Sequence, residues 1–288
     1  MSSELASRIT AEIMAALEGG PPVLVATVVN APTDPLAAAG TKMLVRAAGS
    51  SLGALDGGPL DAAVRMEAPE AFRRHGVYSI YLAPDGTRLS RQQAEVKPSY
   101  QVMLEVHERP ATLLIVGGGH IGKALATIGD LCGFSVAVVD DRPDYANRER
   151  FPEAGRVLCG DFVEVLRDFA IDVNTYVVCV TRGHKHDEVS LRQVVGSLAA
   201  YVGMIGSRRR VGAVLQHLID EGADPEAVAR VHTPIGLDIG AETPEEIAVA
   251  IMAEVVQVRR GGSGRAMREV KKARRGVAPA ERVPPEGE

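Results

Sequence analysis

From Ala111 onward, short apolar runs alternate with segments whose apolar residues recur at helical spacing, a pattern that predicts a mostly parallel sheet covered on both faces by helices. The runs place strands at 112–116, 135–139, 156–159, 176–180 and 200–205. Between and beyond them, Leu191, Val194, Val195 and Leu198 form the apolar face of one helix, and Val211, Val214, Leu215 and Leu218 that of another. A last helix opens at Thr243-Pro244-Glu245-Glu246, where threonine caps, proline suits the first helical position and Glu246 closes a capping box; it should run to about Arg260.

The first hundred residues follow a different rhythm, that of a small α+β unit. Helices are expected near Glu4–Leu17 and Leu60–Arg74, and strands near Val23–Val29 and Lys42–Arg46. Strand Tyr78–Leu82 turns at Pro84-Asp85-Gly86, a tripeptide that combines a fixed φ with a residue able to take φ > 0. After a polar stretch from Ser90 to Ser99, strand Gln101–Glu108 leads to Arg109-Pro110, a domain boundary. The expected organisation is 1–108 as the small domain, 109–261 as the parallel-sheet domain, and 262–288 as a disordered basic tail, since that stretch is poor in apolar residues and strongly basic from Arg265 to Arg275.

Composition narrows the function classes. The chain has 288 residues, enough for two cores, with 46% hydrophobic and 24% charged residues, ordinary values for a water-soluble protein. A net charge of -5 argues against a general nucleic-acid binder. The N-terminus has no uninterrupted apolar stretch of the signal-peptide kind and nothing is long enough to span a membrane, so a cytoplasmic location is expected. Cys132, Cys159 and Cys179 show no CxxC spacing and sit in or beside apolar runs, which reads as three small buried hydrophobes.

The candidate chemistry starts at Leu113–Val116, a buried-strand pattern followed by Gly117, Gly119 and Gly122 as G-x-G-x-x-G. In such a turn the first glycine permits the bend, the second lets phosphate approach the backbone and the third lets helix and strand pack closely, with the helix N–H groups facing a pyrophosphate. Asp140, at the end of the next strand, is placed to accept hydrogen bonds from the ribose hydroxyls. Asp141 adds negative charge against a ribose 2′-phosphate, and Arg142 works in the opposite sense. The fold class that follows is α/β, with a C-terminal Rossmann-like domain and a smaller N-terminal α+β domain.

In a sheet of this kind ligands bind beyond the carboxyl ends of the strands. Thr181-Arg182-Gly183-His184-Lys185-His186-Asp187 follows one strand there; its histidines suit phosphate or solvent, with a metal as the sharper alternative if Asp187 turned inward, and His120 could join them. Gly206-Ser207-Arg208-Arg209-Arg210 follows another, with Ser207 placed as helix cap. Three arginines in a first turn oppose the helix dipole, which a bound phosphate or acidic partner would reverse; an ordinary solvated basic turn is the alternative. The segment His232 to Gly240 reads as a packed loop, either the floor of the crevice or a domain contact.

Taken together, VGGGHIGKALA with VVDDR, TRGHKHDEVSLR, YVGMIGSRRR and HTPIGLDIGAETPEEIAVAIMAE resemble, in order and spacing, the XdhC/CoxI family of accessory proteins for molybdenum hydroxylases such as xanthine dehydrogenase. Gly40 to Val45 is similar, less specifically, to the family's smaller domain. The resemblance implies a chaperone: it holds molybdenum cofactor, as molybdopterin or its dinucleotide form, supports sulfuration by a cysteine desulfurase, and delivers the cofactor to an apo-molybdenum hydroxylase. The cofactor-facing positions it implies, with those the loops suggest, are Gly117, Gly119, His120, Gly122, Asp140, Asp141, Thr181, Arg182, His184, Gly206, Ser207 and Arg208. No metal ligand set and no catalytic residue are expected. Many members carry Cys-Gly-Gly before the Rossmann domain, whereas Ser90 to Glu108 here contains no cysteine, so a thiol contact from that segment is excluded.

The rival reading is an NAD-dependent oxidoreductase, which suits the glycine turn and Asp140 equally. Hydride transfer, however, needs a positioned acid or base from a second domain. The only histidine ahead of the turn's strand, apart from His107, is His75, at an expected helix end where a cation answers the dipole. NAD binding and homodimer formation stay open.

Overall fold

A computed structural model describes residues 3–33 and 35–274, without the side chains of 184, 185, 208, 210 and 271–274. The chain divides between Pro110 and Ala111 into two units.

The first unit runs α1 (Ser3–Leu17), β1 (Val23–Asn30), β2 (Lys42–Arg46), β3 (Ser51–Gly53), α2 (Pro59–Arg74), β4 (Val77–Leu82), β5 (Arg88–Leu89), α3 (Arg91–Val96) and β6 (Tyr100–His107). Its strands form one antiparallel sheet in the order β3-β2-β1-β6-β4-β5. Side chains alternate across a strand, so Val23 and Val25 of β1 pack with Ile9 and Ala16 of α1, whereas Leu24, Ala26 and Val28 pack with Leu60, Val64 and Ala68 of α2. Helices on opposite faces explain why six successive residues of β1, Val23 to Val28, are buried. The polar stretch after Leu89 contains α3, which the apolar pattern did not announce because none of its residues is buried; the reciprocal bonds of Ser90 and Gln93 form its capping box.

The second unit runs β7 (Thr112–Val116), α4 (His120–Leu131), β8 (Ser135–Asp140), β9 (Arg156–Cys159), α5 (Phe162–Asp168), β10 (Thr175–Cys179), α6 (His184–Val194), β11 (Tyr201–Met204), α7 (Arg208–Asp220), α8 (Pro225–Ala229), α9 (Pro244–Arg260) and α10 (Met267–Arg274). The five strands are parallel in the order β11-β10-β7-β8-β9. On one face Leu113, Ile115, Val136 and Val138 pack with Leu125 of α4 and Ile251 and Val255 of α9. On the other, Leu114, Val116, Val139 and Val177 meet α5, α6 and α7 through Phe162, Leu191 and Val211. Each such side chain contributes about 1.5–3 kcal/mol on burial, so both faces of the sheet drive its formation.

Several expectations need correction. Helix α6 stops at Val194, so Val195 is a half-buried cap and Leu198 is exposed rather than part of an apolar face. Cys179 is buried, but Cys132 and Cys159 are exposed, because they sit at the C-cap of α4 and the end of edge strand β9. Within the basic stretch expected to be disordered, Met267–Arg274 is helical; the rest of that stretch from 275 lies outside the described residues. Helix α9 has the anticipated capping box, Thr243 accepting from the Glu246 N–H, and ends on Gly261 in the left-handed conformation. Among the described residues no helix is long and apolar enough to cross a membrane.

Candidate functional site

Strands β7 and β10 are neighbours in the sheet but far apart in sequence, and the chain leaves them toward opposite edges. That reversal opens a crevice at their carboxyl ends, where the loops cannot both cover the sheet. The glycine turn follows β7 into α4, and the Thr181 loop follows β10 into α6.

Each glycine of the turn answers a different neighbour. Gly117 has φ +117°, and a methyl group there would lie 2.5 Å from the Val180 carbonyl oxygen. At Gly122 it would meet the Gly117 carbonyl oxygen at 2.0 Å, so this glycine lets the first turn of α4 close onto the strand end. Gly119, the N-cap of α4, has nothing within 4 Å of that position and no side chain capping the helix. The first N–H groups of α4 therefore receive no side-chain cap from Gly119. Gly118, which the G-x-G-x-x-G spacing leaves unspecified, is equally constrained: a methyl group would come within 2.0 Å of the Tyr145 carbonyl oxygen, and its N–H donates to Asp140 Oδ2 at 2.8 Å. The signal for Gly118 lay only in the run of three glycines.

Asp140 is 1% exposed. Besides Gly118, it accepts from the Arg142 backbone N–H at 3.1 Å and from the Arg142 guanidinium through Nε at 2.8 Å and Nη2 at 3.0 Å. Burial acts to raise its pKa, but the guanidinium and the two backbone N–H groups together outweigh it and hold the carboxyl below its ordinary value. The guanidinium is also stacked 3.5 Å from the centroid of the Tyr145 ring. Asp141 is bound by Arg182 at 3.0 Å and lies 3.8 Å from Arg142 Nε, so two arginines answer the two acids.

Gly117, Gly119, His120, Asp140 and Arg182 line one cleft of about 280 Å³, together with Arg142. His120, exposed at the start of α4, also borders an adjoining cavity of about 460 Å³ between α4 and α9, floored by Ala124, Ile128 and Val249. The remaining candidates stand outside the cleft lining. Gly122 is packed behind the turn, and Asp141 serves the arginines. Thr181 donates its hydroxyl to Asp187 Oδ1 at 2.5 Å, and Asp187, 1% exposed, pins the loop at the start of α6. His186 sets its ring edge-on against Phe162, centroids 5.5 Å apart, so it and Asp187 serve different partners. Gly206 and Ser207 follow β11 at the sheet's edge; Ser207 occupies the N-cap position of α7, but its hydroxyl makes no capping bond, contrary to expectation. The side chains of His184 and Arg208 lie outside the described residues.

The loop from His232 resolves onto the sheet edge rather than the crevice. His232 bridges Gly203 of β11, its ring stacks on Tyr201 at 4.5 Å, and Tyr201 donates to Glu254 of α9 at 2.6 Å. The Gly236 N–H donates to the same carboxylate oxygen at 2.9 Å, which ties the loop to α9. Burial, then the bond to Glu254, pushes the Tyr201 hydroxyl far above its ordinary pKa. In the first unit, His75 ends α2 and pairs with Glu108 at 2.7 Å.

A parallel sheet in this order, with a glycine turn opening a helix at its switch point, defines a Rossmann-type domain, here joined to an antiparallel α+β unit. Residues 113–255 match the XdhC Rossmann domain and residues 16–79 the XdhC and CoxI family, and the chain belongs to the XdhC/CoxI family. YqeB of Escherichia coli (strain K12) is 31% identical over 226 residues, covering 77% of this chain and 41% of YqeB. In Bacillus subtilis (strain 168), a protein named as a probable xanthine dehydrogenase subunit is 32% identical over 148 residues, 51% of this chain and 43% of that protein. The chain thus spans less than half the length of these two relatives. A crystal structure of a xanthine dehydrogenase from Bacillus halodurans shares the fold, with a TM-score of 0.51 at 18% identity over 87% of this chain and 95% of that one.

Proposed function

We propose that the chain is an accessory factor that binds molybdenum cofactor, holds it for sulfuration by a cysteine desulfurase, and passes it to an apo-hydroxylase of the xanthine dehydrogenase type. Family membership and a relative named for xanthine dehydrogenase support the client class. The observation that carries the ligand is the uncapped start of α4 at Gly119, opening on a cleft with Arg142 and Arg182 in its lining. Backbone N–H groups, a helix dipole and guanidinium groups all favour a phosphate, which every form of the cofactor carries. Gly117, Gly119, His120 and Arg182 are proposed as cofactor contacts, with the Thr181–Asp187 bond holding the loop that carries Arg182. In this reading the cofactor is cargo and the protein performs no chemistry on it.

The NAD-dependent oxidoreductase is the weaker alternative, because Asp140, the acid that would hold the ribose, is already engaged by Arg142. Protein expressed in a host that makes the cofactor should co-purify molybdenum together with a pterin detected by fluorescence after oxidation. Absence of both, with NADH bound and hydride exchanged, would overturn the proposal.

A further inference from the structure

A ribose-binding acid works because its carboxylate has acceptor capacity to spare. An ionised carboxylate offers about four lone-pair sites. Asp140 receives four donors from the protein itself: the Gly118 N–H, the Arg142 N–H, and two N–H groups of the Arg142 guanidinium. The fork is bidentate, and stacking on Tyr145 at 3.5 Å keeps the guanidinium in place. A ribose diol arriving at this position finds no acceptor and would have to displace Arg142.

The same arrangement offsets the negative charge that the ligand would otherwise meet. The sequence places two acids side by side at 140 and 141. In the folded protein Asp140 is 1% exposed, Asp141 is paired with Arg182 at 3.0 Å, and both Arg142 and Arg182 line the cleft. Of the five donors of a guanidinium, Arg142 commits two to Asp140. The two arginines thus add hydrogen-bond donors to the cleft lining.

We propose that Arg142 is a specificity residue that closes Asp140 to ribose hydroxyls, so that the cleft selects a ligand ending in a phosphate monoester over one that continues through an unphosphorylated ribose. Resting on the proposed function, this assigns the pterin monophosphate rather than its dinucleotide as the preferred form of the cargo. Arg182 adds charge for the same phosphate without controlling access to Asp140.

The test is calorimetric binding of pterin monophosphate and of ADP-ribose, a bare ribose diol on a pyrophosphate, to the full chain and its variants. The wild type should bind the monophosphate and discriminate against ADP-ribose. Arg142→Ala should tighten ADP-ribose by about tenfold or more, the worth of a charge-assisted hydrogen bond, while weakening the monophosphate. Arg182→Ala, at an exposed side chain, should weaken the monophosphate and leave ADP-ribose unimproved. Opposite shifts for the two ligands in one variant cannot come from a loss of folding. ADP-ribose affinity that is unchanged or lower in Arg142→Ala would overturn the inference. If Arg142→Ala does not fold, the wild type decides: tight ADP-ribose binding that Asp140→Ala abolishes would also overturn it, and discrimination against ADP-ribose upholds it. A wild type that ignores pterin monophosphate, combined with a gain of ADP-ribose in Arg142→Ala, would remove the molybdenum-cofactor reading and leave the role of Arg142 standing.

Discussion

Replacing Gly122 with alanine sets two effects against each other whose sizes are known. Inside a helix alanine is favoured over glycine by about 1 kcal/mol, so on propensity alone the variant should be more stable. The added methyl group, however, would lie 2.0 Å from the Gly117 carbonyl oxygen and 3.4 Å from Ile115. The first contact is with backbone and cannot be relieved by rotating a side chain. Overpacking of this kind costs about 1–3 kcal/mol, and a backbone clash sits toward the upper end. The net expectation is destabilisation by about 1–2 kcal/mol, which in a unit of this size lowers the melting temperature by roughly 2–8 °C. Gly119→Ala is the control, because nothing stands within 4 Å of the new methyl group; it should change stability by only about 0.5 kcal/mol while weakening phosphate binding. Calorimetric melting of the full chain distinguishes the two. A Gly122→Ala protein that melts at or above the wild type would refute the packing argument, as would an equal loss in Gly119→Ala.

Three further predictions concern the surroundings of the site. Because the folded-state pKa of Asp140 lies below its ordinary 3.8, its bonds stabilise the fold above that value and are lost as pH falls through the lower, folded value. The stability gap between the wild type and Asp140→Asn, followed by urea unfolding, should therefore narrow from about pH 5 to about pH 2, and a constant gap would contradict the pairing. Tyr201→Phe removes the 2.6 Å bond to Glu254 and leaves that carboxylate with the Gly236 N–H and His232, 3.5 Å away; urea unfolding should show a loss of about 1.5–3 kcal/mol, and a neutral result would mean the bond is not made in solution. Thr243→Ala breaks the capping box of α9 and should cost about 0.5–2 kcal/mol in the same assay.

The parts of this protein that were legible in the sequence are those set by local pattern. Central strands buried on both faces must be apolar along most of their length, so β7, β8 and β10 lie where the runs of Leu, Ile and Val put them. The turn at Gly117 and the start of α9 rest on residues within a few positions of one another, and those too could be read directly. Where the expectation failed, a distant neighbour made the difference. Gly118 is needed because of a carbonyl at Tyr145, and Ser207 stands at a helix start without bonding to it. Cys159 reads as buried from its apolar neighbours but lies on an edge strand.

The acid pair at 140 and 141 shows the division most plainly. The sequence by itself determined that a carboxylate would stand at the end of β8 opposite a glycine turn, since strand length and motif spacing place it there. Only the tertiary structure decided what that carboxylate faces. Arg142 curls back on Asp140, Arg182 reaches Asp141 from the loop after β10, and each acid is paired with an arginine that lines the cleft. Charge read along a chain carries no direction, and hydrogen-bonding capacity is spent only when the donors arrive.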